Sequence, residues 1–183
     1  MNTATATTSR TIWTLDPSHS ELLFEVKHLM ISNVKGAFRK VNASIDMVGS
    51  DLSTAAVQVN IDAASIFTND ESRDKHLRSA DFFDAEHHPE LTFSGTSFTR
   101  KGSDHELTGN LTIKGVTRQV TLNVEFGGVN KDPWGNEKMG FSISGTINRT
   151  HWGLNWNAAL EAGGVLVSDE VRISAEVQFV KQA

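Results

Sequence analysis

Apolar and polar residues alternate with a period of two through most of the chain. Leu22, Phe24, Val26 and His28 point one way, Glu21, Glu25 and Lys27 the other; Leu23 is the exception. The same period recurs at Ala55 to Ile61, Leu91 and Phe93, Leu107 to Ile113, Val120 to Phe126, Met139 to Ile147 and Val171 to Phe179. Such alternation marks antiparallel strands with one face in a core and one in water. With a long run over residues 34–48 it predicts eight main strands, plus a short one near residues 12–15. Turns are expected at Ile31-Ser32-Asn33, Gly49-Ser50-Asp51, Lys101-Gly102-Ser103, Gly115 and Asp132-Pro133-Trp134-Gly135-Asn136. One segment breaks the alternation. Thr68 and Glu71 have the spacing of a capping box, and a helix is predicted from there through Arg73, His76 and Leu77 to about Ala80. One helix among long consecutive strands predicts an all-β fold, an up-and-down or similar barrel rather than an α/β fold.

The inward positions of these strands carry no charge. Phe24, Val26, Phe38, Val57, Val59, Phe93, Leu111, Ile113, Val124, Phe141, Ile143, Ile173 and Val177 are all apolar. Gly36, Gly95, Gly109 and Gly145 fall in phase with them on four strands. Two readings of these glycines stand side by side: bends that let the strands curl into a barrel, or room left inside. An eight-stranded barrel is wide enough to hold one small ligand. A lining without charges suits an elongated apolar guest and suits sugars, nucleotides or phosphates poorly, because their polar groups would be buried unpaired.

Composition narrows the chemistry. The 183 residues contain no cysteine, which removes disulfides, zinc thiolates, iron–sulfur clusters and a cysteine nucleophile. At about 150 residues per domain the chain is one domain, expected over residues 12–183. Residues 1–11 are too polar to pack and read as a disordered tail. A net charge of −5 argues against a nucleic-acid surface. No stretch reaches the ~18 apolar residues of a membrane span, so stable membrane insertion is not expected. With no apolar leader, a cytoplasmic protein is expected.

Several polar groups compete for a chemical role. Histidines and carboxylates are densest at residues 81–90, where a solvated loop is the expected reading rather than a metal site. Within it, Phe82 and Phe83 are expected to plug the barrel mouth. His28 is in phase with the inward residues, either as a satisfied core histidine or as a contact for a ligand's polar end. Asp16, His19 and Ser20 supply triad residue types in what reads as a turn, but nothing places them as a triad. Arg149 to Trp156 follows a strand directly. Its two tryptophans form either a cavity rim or a closing cluster in which Arg149 stacks on an indole.

Taken in order, several motifs resemble the YceI-like polyisoprenoid-binding family. They are Trp13, Asp16-Pro17-Ser18-His19-Ser20, Phe24, His28-Leu29, and Val34, Gly36 and Phe38. Arg73-Asp74-Lys75-His76-Leu77, Asp81-Phe82-Phe83-Asp84 and His88-Pro89 follow. The last are Gly109 through Thr117 and Arg149, Gly153-Leu154 and Trp156. The resemblance covers nearly all of residues 12–180. It implies an eight-stranded antiparallel, extended lipocalin-like β-barrel with one short helix and a rim segment. It implies a long isoprenoid-type lipid in the pore, either a polyprenyl diphosphate or an isoprenoid quinone. It also implies no catalysis, no cofactor or fixed metal beyond that lipid, and often a homodimer. Thr150-His151-Trp152 departs from the acidic residue and phenylalanine that such proteins commonly show there.

The ligand contacts expected are Phe24, Val26, His28, Phe38, Val57, Val59, Phe93, Ile113, Phe141 and Ile143 on strands. Phe82 and Phe83 join them after the helix, and Arg149, Trp152, Leu154 and Trp156 at the rim. The expected function is to bind, and carry or store, such a lipid. The alternatives are an enzyme acting on an isoprenoid lipid through the histidine–carboxylate loop, or a purely structural oligomeric barrel.

Overall fold

The structure, a computed structural model, describes residues 9–183. Eleven strands appear in the order β1 (Arg10–Leu15), β2 (Glu21–His28), β3 (Ser32–Phe38), β4 (Val41–Val48), β5 (Asp51–Asp62), β6 (Ile66–Phe67), β7 (Glu90–Lys101), β8 (Asp104–Ile113), β9 (Val116–Lys131), β10 (Glu137–Asn148) and β11 (Val167–Lys181). The helix α1 (Glu71–Arg78) lies between β6 and β7. All pairings are antiparallel. Eight strands close in the order β1-β4-β5-β7-β8-β9-β10-β11, with the end of β11 returning to β1 at Trp13↔Lys181 and Leu15↔Phe179. The first part of β11 pairs instead with β2, and the sheet runs on outward through β3 and β6. The barrel expected from the alternation is therefore present, but the short strand β1 belongs to the closed ring while β2, expected as a main strand, lies outside it with β3 and β6.

Registers put the apolar phase inside. Phe141 stands opposite Val177, Ile143 opposite Ala175 and Phe93 opposite Leu111. The long run over residues 34–48 is not one strand. It breaks at Arg39 and Lys40, whose N–H groups donate to the carbonyl and hydroxyl of Ser65 (both 3.1 Å). That pins the corner where the chain leaves β2 and joins β1 and β5.

The disordered tail expected over residues 1–11 lies outside the described residues for 1–8, and for its last two residues the structure differs. Arg10 and Thr11 begin β1, held by the Arg10 guanidinium on Asp46 (2.9 Å) and the Thr11 hydroxyl on the Gly49 carbonyl (2.6 Å). The helix also starts elsewhere than predicted. Asp70 is its N-cap, accepting from the Arg73 N–H at 3.0 Å, and the chain leaves the helix after Arg78 rather than near Ala80. Asp70 outcompetes Thr68 because Thr68 is already engaged: its N–H and hydroxyl both donate to Asp74 (2.8 and 2.5 Å), which is 3% exposed. Glu71 and Asp74 in the first turn, and Lys75, His76 and Arg78 in the last, suit the helix dipole.

The in-phase glycines serve their neighbours' side chains. A Cβ on Gly36 would stand 2.3 Å from Cζ of Phe24, its partner across the β2–β3 ladder. On Gly109 it would meet Cζ of Phe93 at 2.4 Å, and on Gly145 Cδ2 of Leu122 at 2.5 Å. The rings and the leucine lie flat over backbone that lacks a side chain, so at these three positions the space is filled. Gly95 fits the bend reading, since the β7–β8 register shifts between it and Ser97.

Candidate functional site

A cavity of about 660 Å³ occupies the barrel. Its lining reaches from His28 and Arg149, where β2 and β10 end, to Phe98 and Phe179 toward the other end of the strands. Beneath it Trp13, Met47 and Met139 are buried and close the floor. The deep wall is Val, Leu, Ile and Phe from every strand of the ring; the charged lining residues are Asp70 and Arg73 at the helix start, and Arg149. Polar character is thus concentrated at the mouth.

Of the residues singled out from sequence, Phe24, Val26, His28, Phe38, Val57, Val59, Phe93, Ile113, Phe141 and Ile143 all line the cavity. Phe82, Phe83, Arg149, Leu154 and Trp156 do so at the mouth. Trp152 does not. It is 2% exposed and its indole N–H donates to the Leu111 carbonyl at 2.9 Å, which makes it a wedge between the rim segment and β8. Four residues later Trp156 does line the cavity. Its ring packs on His76 (centroids 4.8 Å, near perpendicular) and on Phe82 (5.4 Å). Phe83 meets Phe38 edge-on at 5.6 Å. Helix, phenylalanine pair and rim therefore close over one end of the barrel.

Local geometry explains the rim. Asn148 caps a single 3-10 turn (Arg149–Trp152), accepting from the N–H of Thr150 at 3.0 Å. Gly153 ends it at φ 77°, a left-handed conformation that glycine adopts without cost from a side chain. The turn aims Arg149 inward, where it is 4% exposed. No indole stack forms. The guanidinium instead donates to the carbonyls of Leu154 (2.6 Å), Trp156 (3.0 Å) and Ser168 (2.9 Å), with Asp169 at 3.7 Å. Burial pulls its pKa below the ordinary arginine value, and Asp169 opposes that shift. Its donors tie the rim segment to the start of β11, which leaves it a structural clasp as well as a lining residue.

The other candidates sit apart from the cavity. In the loop at residues 81–90, His87 and Asp84 pair at 2.8 Å, which raises the histidine's pKa and lowers the carboxyl's. Neither lines the cavity. Among the described residues no three His, Asp or Glu side chains gather as a metal site would need. Asp16 and His19 do meet, with Ser18 in place of Ser20: the Ser18 hydroxyl donates to Asp16 at 2.6 Å and the His19 ring lies 2.9 Å from it, whereas the Ser20 hydroxyl accepts from the Gln178 N–H at 3.0 Å. They form the exposed 3-10 turn between β1 and β2, a turn device rather than a nucleophile in a pocket. Sequence reading missed Thr68, Asp70, Arg73, His76, Leu166 and Val167, which also line the mouth. The spacing Asp70, Arg73, His76 and Leu77 on one helical face was the available signal.

A family model described as YceI-like domain matches residues 13–179. A UPF0312 protein of Staphylococcus aureus is 41% identical over 170 residues, covering 92% of this chain and 97% of that one. The crystal structure of the Campylobacter jejuni YCEI protein superposes with a TM-score of 0.74 at 34% identity, covering 86% of this chain and 90% of that one. A domain from Saccharophagus degradans, described as polyisoprenoid binding and implicated in plant cell wall breakdown, shares the fold with a TM-score of 0.68 at 16% identity, covering 93% and 98% of the two chains. Matched along almost its whole barrel, the chain belongs to the YceI-like family.

Proposed function

We propose that this protein binds a long isoprenoid-type lipid inside the barrel and carries or stores it. The observation that carries the reading is the division of the cavity: a deep wall of hydrocarbon side chains and a mouth with Arg73, His76 and His28. An apolar tail gains ~25 cal/mol per Å² removed from water along such a wall. A single polar end, the diphosphate or the quinone ring, then stays among the groups at the mouth, where it need not be buried unpaired. The polyisoprenoid-binding domain that shares the fold supports the same ligand class.

The reading is binding rather than catalysis. Acid–base chemistry needs a titratable group within hydrogen-bond reach of the reacting atoms. Here His87 and Asp84 of the 81–90 loop lie off the cavity, Arg149 is engaged by main-chain carbonyls, and His76 at the mouth is engaged by Asp81 at 2.8 Å and packed on Phe82 and Trp156. Mass spectrometry of lipid extracted from the purified protein tests the proposal. An isoprenoid lipid recovered near one per chain, unchanged after incubation, is the expected result; extracts empty of lipid, or a polar small molecule in their place, would overturn it.

A further inference from the structure

The hairpin joining β2 to β3 has an unusual tip. Leu29 and Met30 both adopt positive φ, at 54° and 60°, and the Ile31 N–H donates to the His28 carbonyl at 3.2 Å. Two consecutive residues at positive φ, in the three-residue loop between the paired His28 and Ser32, form a turn that asparagine and glycine would favour, because they reach this region most easily. Leucine and methionine there are strained, and strain of this kind persists where other constraints hold it. Their side chains do not find a core. Ile31 is 81% exposed and Met30 52%, with Leu29 and nearby Val165 also exposed. The Leu29 N–H donates to the Leu166 carbonyl at 2.8 Å, so the tip is moored to the rim segment. His28 and Leu166, its immediate supports, both line the cavity.

We infer that this tip is a membrane-docking element that sets the cavity mouth on a lipid bilayer for loading and release. The inference rests on the lipid-binding reading above and adds the surface that delivers the ligand. A protruding point of three or four apolar side chains is too small for a stable protein interface, which takes about 800 Å² from each partner. It is the right shape to enter the boundary between head groups and acyl chains. Lys27 and Lys35 near the tip are offset by Glu25, Asp169 and Glu170, so apolar insertion rather than attraction to anionic lipid is the driving term. A lipid leaving the bilayer beside His28 would enter the barrel without crossing water.

Flotation of the full chain with phosphatidylcholine vesicles tests this, on wild type and two variants that leave the lining untouched. Wild type is expected to float with the vesicles at low and high salt. Met30→Asp with Ile31→Asp should weaken that by about tenfold or more. Leu29→Asn with Met30→Gly supplies the favoured turn, so it should melt higher than wild type while also binding vesicles less. Wild type that stays with the soluble fraction, or an aspartate variant that floats as well as wild type, overturns the inference. So does a variant whose main change is in oligomeric state by light scattering, which would make the tip a protein contact. Extracted lipid is measured in parallel: its absence from all three proteins sinks the ligand reading, whereas its presence beside unchanged flotation sinks only the docking element.

Discussion

At the floor of the barrel Trp13, Met47 and Met139 fill the section with side chains, and behind them Phe141 packs against Phe179 and Phe98 at 6.1 Å each. At the mouth the closing pieces are a helix, a phenylalanine pair and a segment without regular structure, held by Arg149 on four carbonyls, that of Val167 at 3.5 Å among them, and by Asp74 on Thr68. The floor is stable through shape and burial, the mouth through polar groups that find partners in main chain. A floor built that way excludes water and admits no guest. A mouth built that way keeps polar groups within reach of a cavity whose depth has none, and its hydrogen bonds can be exchanged individually.

The largest effect should come from removing a wedge. Trp152→Ala and Phe141→Ala are each expected to destabilise by about 3–5 kcal/mol, the range for truncating a buried aromatic ring. Thermal melting measures that loss, and it should be similar at the two ends. Lipid retention should separate them. Trp152 faces away from the cavity, so its variant should keep lipid per folded molecule; Phe141→Asp places an ion against the lipid and should emerge empty. If Trp152→Ala instead melts normally and emerges empty, the tryptophan is a ligand contact and the division of the rim fails.

Arg149→Met comes next. It retains the apolar stem but strands the carbonyls of Leu154, Trp156 and Ser168, and should cost about 2–4 kcal/mol. Proteolysis should then cut first within residues 153–166, with the floor still protected. Uniform unfolding would show that mouth and floor form one cooperative unit.

Gly36→Ala tests the wall between the two ends. Its methyl would overlap the Phe24 ring, and displacing that ring should cost about 1–3 kcal/mol. Gly95→Ala, whose nearest side-chain neighbour is Val57 at 3.1 Å, should cost less by the same denaturant titration.

The smallest expected effect lies outside the floor, where the Asp16 carboxylate meets Lys138 at 2.5 Å. Lys138, then Ser18 and His19, hold its pKa well below the usual carboxylate range, against desolvation. The folded state thus binds the proton less readily than the unfolded state. Its stabilisation is complete above the unfolded value of 3.8 and is lost as pH falls through the depressed folded value. Asp16→Asn should lower the melting temperature at neutral pH and flatten its fall below about pH 4. Equal slopes in wild type and variant would show that the clasp is not coupled to folding.

The walls were legible because period-two alternation directly encodes which side chains face the inside of a closed sheet, whereas the floor of Trp13, Met47 and Met139 was not foreseen. Phe93, Phe141, Ile143 and Val177 could be placed inside without knowing any pairing. The rim was not legible in the same way. Trp152 and Trp156 belong to one residue type in one segment, and only the 3-10 turn ended by Gly153 sends one to Leu111 and the other to the cavity. The helix start was misplaced for a related reason: Thr68 and Asp70 are both good caps, and the choice rests on Asp74, which is buried by tertiary packing. The corner at Arg39 and Lys40 depends on Ser65, a partner remote in sequence that alternation does not reveal.

The central claim is that the charge-free depth holds the tail while the mouth holds the polar end. A crystal structure of the protein purified with its own lipid tests it most directly. The tail should run past Phe93 toward Phe141 and Phe179, with the polar end beside His28, Arg73 or His76. A polar end seated against Phe141 and Phe179, or lipid bound only on the outer face of the barrel, would contradict it.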